Sequence, residues 1–262
     1  MDLQIAGNSA LVTASSDGLG KAAAQALVEE GVNVVINGRD AEKLDATATE
    51  LAALGGGDVI AQPGDLLEPD DLSLLVERTV DAFGGIDHLV TSAGGPPSGP
   101  FTDIPIDEWY RTYDLLVMSV VRLVHEAAPY LEDGGGTIVN ITSRSVKEAI
   151  DGLVLSNAVR MAVIGLEKTL SKELAPAVRA NAVLPGPHET ARIRDLVEQQ
   201  VERGDVDSYE AGLAARGASI PVGHIGDAMG LGYTVAFLSS PLASFINGVA
   251  IPIDGGMGAS NL

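Results

Sequence analysis

Short apolar runs alternate along the whole chain with longer segments in which apolar residues recur at helical spacing. Brief, continuously apolar runs predict strands that are covered on both faces, because a strand with one solvated face alternates apolar and polar residues. The predicted strands are Ala10–Ala14, Val32–Ile36, Val59–Gln62, His88–Ser92, Thr137–Ile141, Arg179–Leu184 and Val249–Ile253. The predicted helical segments are Leu19–Glu30, Ala41–Leu54, Asp70–Phe83, Asp107–Leu131, Leu153–Leu174 and Asp227–Leu238. This order predicts an α/β fold in which about seven parallel strands form one doubly wound sheet with helices on both faces.

The alternation is broken in one region, which follows the sixth predicted strand. Pro185-Gly186-Pro187 opens it, and a polar helical stretch lies around Arg192–Arg203. Insertions after the carboxyl end of a strand are where α/β folds place elements that cover a ligand. We therefore predict one domain over residues 1–262, with residues 186–226 as a substrate lid.

Composition excludes several kinds of site. Cysteine is absent, which excludes disulfides, thiolate nucleophiles and cysteine-ligated metals. His88, His125 and His224 have no ligand-like spacing with carboxylates, so no metal site is expected. The formal charge is −20 and no basic run occurs, which disfavours nucleic acid and anionic membrane surfaces as partners.

The ends of the chain and its charge bear on where the protein works. Met1–Gln4 is not followed by the basic and apolar regions of a signal peptide, and no apolar stretch of roughly 18 residues would span a bilayer. A cytoplasmic protein is therefore expected. The 36 acidic residues against 16 basic ones fit either a protein adapted to high salt or an ordinary acidic cytosolic protein.

Small and polar residues follow several predicted strands at what would be one edge of the sheet. The first β-α junction runs from Thr13 to Gly20, where glycines would let the backbone approach a pyrophosphate at the start of a helix. A glycine turn without a ligand is the alternative interpretation of this segment. Asp65-Leu66 and Ser92-Ala93-Gly94 follow two further strands, and Pro185–Thr190 follows a fourth. Together they mark the edge where α/β sheets bind dinucleotides.

These motifs resemble the short-chain dehydrogenase/reductase family over essentially the full length of the chain. Ala14 replaces the first glycine of the family's T-G-x-x-x-G-x-G turn, and Ser92 stands at the usual asparagine of N-A-G. The resemblance implies a single-domain Rossmann-type fold and hydride transfer between NAD(P) and a small carbonyl or secondary alcohol substrate. The residues that it implies for cofactor binding are Thr13, Ser15, Ser16, Gly18, Leu19, Gly20, Arg39, Asp65, Leu66, Ser92, Ala93, Gly94, Arg160, Pro185, Gly186 and Thr190.

The second strand offers a clue to the choice between NADP and NAD. It ends in Asn37-Gly38-Arg39, without an acidic residue to hold the adenosine ribose, and Arg39 could pair with a 2′-phosphate instead. Asp17, within the glycine turn, would oppose that phosphate. Arg39 as a solvated residue before the next helix is the structural alternative. The balance favours NADP, with NAD left open.

The resemblance also implies catalytic positions, and most of them carry other residues here. Ser143 matches the family's serine, but Ser156 stands at the tyrosine position of Y-x-x-x-K and Arg160 at the lysine position. Leu116 aligns with the family's additional asparagine. A serine hydroxyl is too weak an acid to replace a phenol, and a guanidinium does not readily release a proton. The catalytic candidates are therefore Ser143, Ser156 and Arg160, in an atypical site.

Two interpretations of this site stay open. In the first, hydride transfer persists with another acid or base, either Lys147 or His188. In the second, the scaffold has become a non-redox enzyme or a dinucleotide-binding protein that has lost dehydrogenase activity. Ser156 and Arg160 would then be an ordinary helix-start residue and an ion-pair residue.

The helices also bear on assembly. Leu153–Leu174 and the long helix before it resemble the family's usual dimer faces, and the glycine-rich C-terminal segment resembles its second interface. The resemblance therefore implies a homotetramer, or else a homodimer.

Overall fold

A computed structural model describes residues 1–260, and all seven predicted strands are present in it. In chain order the strands are β1 Ser9–Val12, β2 Asn33–Gly38, β3 Val59–Pro63, β4 His88–Thr91, β5 Gly136–Ile141, β6 Val178–Pro185, β7 His188–Glu189, β8 Gly226–Asp227 and β9 Ala250–Ile253. Seven of them form one parallel sheet in the order β3-β2-β1-β4-β5-β6-β9. The predicted doubly wound α/β fold is confirmed. Its strand order reverses between β1 and β4, where such sheets open a crevice at their carboxyl edge.

The helices agree with the predicted segments to within a few residues at most ends. They are α1 Gly18–Glu29, α2 Ala41–Ala52, α3 Pro69–Phe83, α4 Ile106–Tyr113, α5 Ser119–Gly134, α6 Val154–Glu173, α7 Ala191–Glu202, α8 Tyr209–Gly217 and α9 Ala228–Ser239. The single segment predicted over Asp107–Leu131 is divided by a π-helical turn at Asp114–Met118. A π turn inserts one extra residue without breaking the run of apolar positions, which is why the periodicity alone did not reveal it.

The core lies on both faces of the sheet, as the continuously apolar strands predicted. Ala10 and Val12 of β1 pack against one layer, which includes α1 and α9. Leu11, between them, points into the other layer, which includes α3 and α5. On the first face the helices cross very closely, because a Cβ on Gly232 would lie 2.3 Å from the carbonyl oxygen of Ala22.

The region after β6 is a structured excursion over the carboxyl edge of the sheet. It contains α7 and α8 and is closed at its base by parallel pairing of β7 with β8, His188 opposite Gly226. Strands of two residues carry no periodicity, and for that reason the sequence did not predict them. Across residues 1–260, the helices are all too short or too polar to cross a membrane.

Candidate active site

The bend between β1 and α1 has the backbone geometry of a tight, glycine-dependent turn. Ala14 and Gly18 both have positive φ, +45° and +58°. A Cβ on Gly20 would lie 2.3 Å from the carbonyl oxygen of Ala14, so only glycine fits there. Asp17 caps α1 by accepting a hydrogen bond from the amide of Gly18 at 2.7 Å. The start of the helix thereby comes directly against the end of the strand.

Three buried side chains hold this bend in place. The hydroxyl of Thr13 donates to the carbonyl oxygen of Ser92 at 2.7 Å and accepts from the Ser92 amide at 2.8 Å. Ser15 Oγ accepts from the amide of Asn37 at 3.0 Å, and Asn37 Oδ1 accepts from the amide of Ala14 at 3.2 Å. Thr13 and Ser15, both predicted as cofactor residues, therefore tie the bend to β4 and β2. Asn37 was not singled out by the sequence analysis, although a buried amide ending an apolar strand is a visible signal.

A cavity of about 300 Å³ opens beside the bend, at the carboxyl ends of β1, β2 and β4. Five of the predicted cofactor residues line it: Ser16, Arg39, Asp65, Leu66 and Gly94. Its wall also contains Asn37, Arg111 and Leu115, of which the last two come from the helical segment after β4. The Asp65 side chain accepts from the amide of Leu67 at 3.1 Å and so shapes the turn after β3.

Asp17 at the rim of this cavity is paired with a lysine. Lys43 Nζ lies 2.5 Å from Asp17 Oδ2. Partial burial would raise the pKa of Asp17, but the hydrogen bonds from Lys43 and from the Gly18 amide outweigh it, and the pKa is lowered overall. The carboxylate is therefore ionised but largely offset by a cation on α2, which the sequence analysis did not foresee.

A second cavity of about 510 Å³ continues the crevice over β5 and β6. The backbone of Gly95 lines both cavities. The second cavity brings together all three predicted catalytic residues, Ser143, Ser156 and Arg160. Four further predicted cofactor residues line it, namely Leu19, Pro185, Gly186 and Thr190. Lining residues that the sequence did not single out include Ser98 and, from α7, Ile193 and Leu196.

The serines of this cavity are linked through one more serine below it. Ser143 Oγ accepts from the amide of Ser145 at 3.1 Å, and the Oγ atoms of Ser145 and Ser156 lie 2.9 Å apart. Ser145 and Ser156 are both buried. Asn157 holds the loop before α6, since its side chain bonds both the amide and the carbonyl oxygen of Ile150.

The second cavity is called the reaction cavity below, because it contains the three predicted catalytic residues. Arg160 is buried between this reaction cavity and a small void beneath it. It is 7% exposed, and its Nε has no hydrogen-bond partner among the described residues. Burial lowers the pKa of Arg160 to about 10, which leaves the guanidinium charged near neutrality. The void, about 10 Å³, has room for roughly one water molecule. It is lined by, among others, Thr13, Ser92, Ala93, Ser119 and Thr142.

His188 and Lys147, the two alternative proton carriers, are placed differently. His188 lines the reaction cavity and is buried, with Nδ1 3.0 Å from the carbonyl oxygen of Gly186. It also lines a neighbouring cavity of about 340 Å³ together with Asp227 and Asp254. Lys147 is not among the residues that line the reaction cavity. Within the described part of the chain, His, Asp and Glu form no cluster able to hold a metal ion.

The similarity to known proteins covers nearly the whole chain. Residues 13–258 match the family profile described as enoyl-(acyl carrier protein) reductase. The chain is 31% identical to the uncharacterized oxidoreductase YvrD of Bacillus subtilis, covering 98% of each chain. It is also 31% identical to glucose 1-dehydrogenase of Gluconobacter oxydans, covering 97% of this chain and 93% of that one. The crystal structure of L-sorbose reductase from Gluconobacter frateurii, complexed with NADPH and L-sorbose, superimposes with a TM-score of 0.94 at 27% identity, covering 99% of this chain and 100% of that one.

Proposed function

Because this chain belongs to the short-chain dehydrogenase/reductase family, we propose that it transfers a hydride between a nicotinamide dinucleotide and a carbonyl or secondary alcohol. One observation carries the proposal. A single crevice along the carboxyl edge joins the cavity beside the glycine bend to the cavity that contains Ser143, and Gly95 lines both. An extended two-part ligand with its reactive end at Ser143 matches that shape.

The residues present fit such a dinucleotide. The bend presents the N-terminus of α1 to the crevice, and Gly20 lets the helix begin directly against the strand, since a Cβ there would lie 2.3 Å from the Ala14 carbonyl oxygen. Thr190 and Gly186 line the other end of the crevice, which supports their proposed contact with the nicotinamide side. When bound, the dinucleotide supplies or accepts the hydride; the protein supplies position, charge and protons.

We propose NADP rather than NAD as the preferred form. Arg39 lines the adenosine-side cavity, where its guanidinium can pair with a 2′-phosphate. The Asp17 carboxylate would repel that phosphate if it were unpaired, but Lys43 Nζ lies 2.5 Å from Asp17 Oδ2. The ion pair between Lys43 and Asp17 therefore weakens the argument that Asp17 disfavours NADP. The solved L-sorbose reductase and actinorhodin ketoreductase structures, both with NADPH, are consistent with this preference.

We also propose that the proton is carried by a group other than the family's tyrosine. Reduction of a carbonyl moves the π electron pair onto oxygen as hydride adds to carbon, and that oxygen then takes a proton. Ser143 can hold the oxygen by a hydrogen bond, as the family's serine does. With Nδ1–H donating to the Gly186 carbonyl, His188 can pass a proton to the substrate oxygen through Nε2. The neighbouring cavity with Asp227 and Asp254 offers a route for its replacement from solvent.

A second candidate function has its own supporting observation. Ser156 is held in a neutral hydrogen bond to Ser145, and Arg160 replaces the lysine that lowers a phenol's pKa in the family. A chain that kept the nucleotide crevice but lost redox chemistry would carry such replacements. It would be a non-redox enzyme or a dinucleotide-dependent binding protein.

The covering elements and the assembly follow as further parts of the proposal. Ile193 and Leu196 of α7 line the reaction cavity, as a substrate lid over residues 186–226 would require.

Tyr110 of α4 and Met161 of α6 are exposed apolar side chains on the helices that form dimer faces in the family, and Phe245 is exposed near the C-terminal strand. We propose a homotetramer built on these faces, in the cytoplasm.

A cofactor titration followed by a substrate panel tests the function. NADPH and NADH are titrated calorimetrically, and alcohols, ketones and oxo acids are then screened by nicotinamide absorbance. We expect NADPH to bind and at least one carbonyl compound to be reduced, with kcat at least a hundredfold lower in Ser143→Ala and NADPH affinity unchanged. If neither dinucleotide bound at millimolar concentration, both candidates would fail. Binding without turnover, or substrate conversion with no absorbance change, would instead support the second candidate.

A further inference from the structure

Arg160 carries a buried positive charge whose partner is not supplied by the described residues. The side chain forms no hydrogen bond and no ion pair with residues 1–260, and Nε is fully covered. A charge that is buried and unpaired costs several kcal/mol. A bound ligand that pairs with Arg160 would offset this free-energy cost.

The reaction cavity around Arg160 has an unusual charge balance for this protein. Among the described residues that line it, Arg160 is the one permanently charged side chain. The remaining polar groups are hydroxyls, backbone and His188: Ser98, Thr142, Ser143, Ser156 and Thr190 carry the hydroxyls. No carboxylate of that lining faces it, although the chain as a whole has a formal charge of −20. The cavity is therefore a positive site within an acidic molecule, and it attracts anions selectively.

The neighbour at Ser156 strengthens this argument. A cation that sits beside an ionisable phenol can be offset by that phenol, whereas the hydroxyl of Ser156 does not ionise and is already bonded to Ser145. The nicotinamide ribose can accept hydrogen bonds from Arg160, but its hydroxyls carry no charge. A guanidinium has five N–H donors and can serve both ribose and an anion.

We propose that the substrate carries a carboxylate close to its reacting carbon and that Arg160 binds this carboxylate. The proposal deepens the function proposed above by naming a substrate class, an oxo acid or hydroxy acid. A single cation matches the single charge of a carboxylate better than the double charge of a phosphate. Leu153, Ile193 and Leu196 form apolar walls, so the rest of the substrate is an apolar chain. Ser143 then contacts the carbonyl oxygen beside the bound carboxylate.

Binding of an unreactive carboxylate tests this assignment. The protein is saturated with NADP⁺ and titrated with oxamate, and with oxamide as the neutral isostere, in a low-chloride buffer. We expect oxamate to bind at least tenfold more tightly than oxamide. Arg160→Gln should abolish that preference, and Arg160→Lys should retain part of it. Arg78→Gln removes the same charge from an exposed position on α3, outside the cavity lining, and should change nothing.

A second measurement covers the case in which Arg160→Gln does not fold. Oxamate affinity of the unaltered protein should be nearly constant from pH 7 to 9 and fall above pH 10, because burial lowers the pKa of Arg160 to about 10. Equal binding of oxamate and oxamide, or unchanged oxamate binding in a folded Arg160→Gln variant, would overturn the assignment. Since NADP⁺ binding is measured first, its absence would count against the proposed function, whereas NADP⁺ binding without an oxamate preference would count against the carboxylate alone.

Discussion

The hydroxyl oxygens of Ser145 and Ser156 lie 2.9 Å apart beneath the reaction cavity. Both residues are buried, and Ser145 also donates its amide to Ser143 Oγ at 3.1 Å. In the proposed alignment, the position that carries a phenol in the family is occupied by Ser156, a short side chain that lines the cavity and is hydrogen-bonded to Ser145. The space a phenol would fill belongs to the cavity, and this gives the first prediction.

Replacing Ser156→Tyr together with Arg160→Lys should restore a phenolic acid. The cavity of about 510 Å³ can admit the ring, and a neighbouring ammonium lowers the phenol's pKa towards the working pH. We expect reduction of neutral ketones, followed by NADPH absorbance, to rise in kcat by on the order of tenfold or more. Ser156→Phe with Arg160→Lys has the same bulk without the hydroxyl. Equal rates in the two double variants would show that the phenol plays no part.

The pair of Lys43 and Asp17 gives a prediction about the cofactor. Arg39→Gln should raise the KM for NADPH about tenfold and leave that for NADH nearly unchanged, because only NADPH carries the 2′-phosphate. Lys43→Gln should also weaken NADPH, since it exposes the Asp17 carboxylate to the phosphate. Adding Asp17→Asn to Lys43→Gln should recover the loss. Lys172→Gln, on an exposed part of α6, is the matched control, and an effect as large as that of Lys43→Gln would contradict the prediction.

Ala14 has φ of +45°, a conformation that favours glycine. Ala14→Gly should relieve this strain, and part of the gain is offset by the greater freedom of glycine in the unfolded chain. We expect the free energy of unfolding to rise by about 0.5–1 kcal/mol in urea denaturation. Ala46→Gly, in the exposed part of α2, should instead lose about 1 kcal/mol. A loss of stability in both variants would show that Ala14 is unstrained.

Glu167 on α6 gives a prediction about pH. Burial raises the pKa of Glu167 to about 7, from an ordinary value of 4.5. Between these pH values the folded state keeps a proton that the unfolded state has released, so this group's contribution to stability falls as pH rises. Allowing for screening by nearby solvent, Glu167→Gln should be about 1–2 kcal/mol more stable than the unaltered protein at pH 8 and equal to it near pH 4.5.

The pH experiment is a pair of urea denaturation series at the two pH values. Glu132→Gln, on the exposed side of α5, serves as the control and should change stability by less than about 0.5 kcal/mol at either pH. A stability difference for Glu167→Gln that is the same at both pH values would rule out this titration.

His188 gives the last prediction. If it carries the proton, His188→Gln should lower kcat about a hundredfold, while NADPH affinity stays unchanged. Gly226→Ala should have a similar but smaller effect, because its Cβ would lie 2.9–3.0 Å from the imidazole ring and displace it. Lys147→Gln should leave kcat within about twofold. An unaltered kcat in His188→Gln would assign the proton to another group.

Much of the sheet could be predicted because its central strands are buried on both faces and their sequences are short, mainly apolar runs. The family resemblance supplied the catalytic candidates Ser143, Ser156 and Arg160, and the structure brings these three residues into one cavity. What was missed depends on contacts that are distant in sequence or on side-chain geometry. Lys43 reaches Asp17 from another helix, and Ser145 bonds Ser156 across the loop that precedes α6. Neither contact can be predicted from a periodic pattern in the sequence.

The pairing of His188 with Gly226 closes the excursion at its base, and the amide of Val222 ties it to the Gly255 carbonyl oxygen by a hydrogen bond of 3.2 Å. Lengthening the loop between α7 and α8 costs little, about 0.6 kcal/mol for each doubling of a flexible loop. This segment can therefore be exchanged or extended without changing the part of the crevice that lies beside β1. If this segment covers the substrate as proposed, a graft of another relative's segment between His188 and Gly226 should change which compounds the protein accepts.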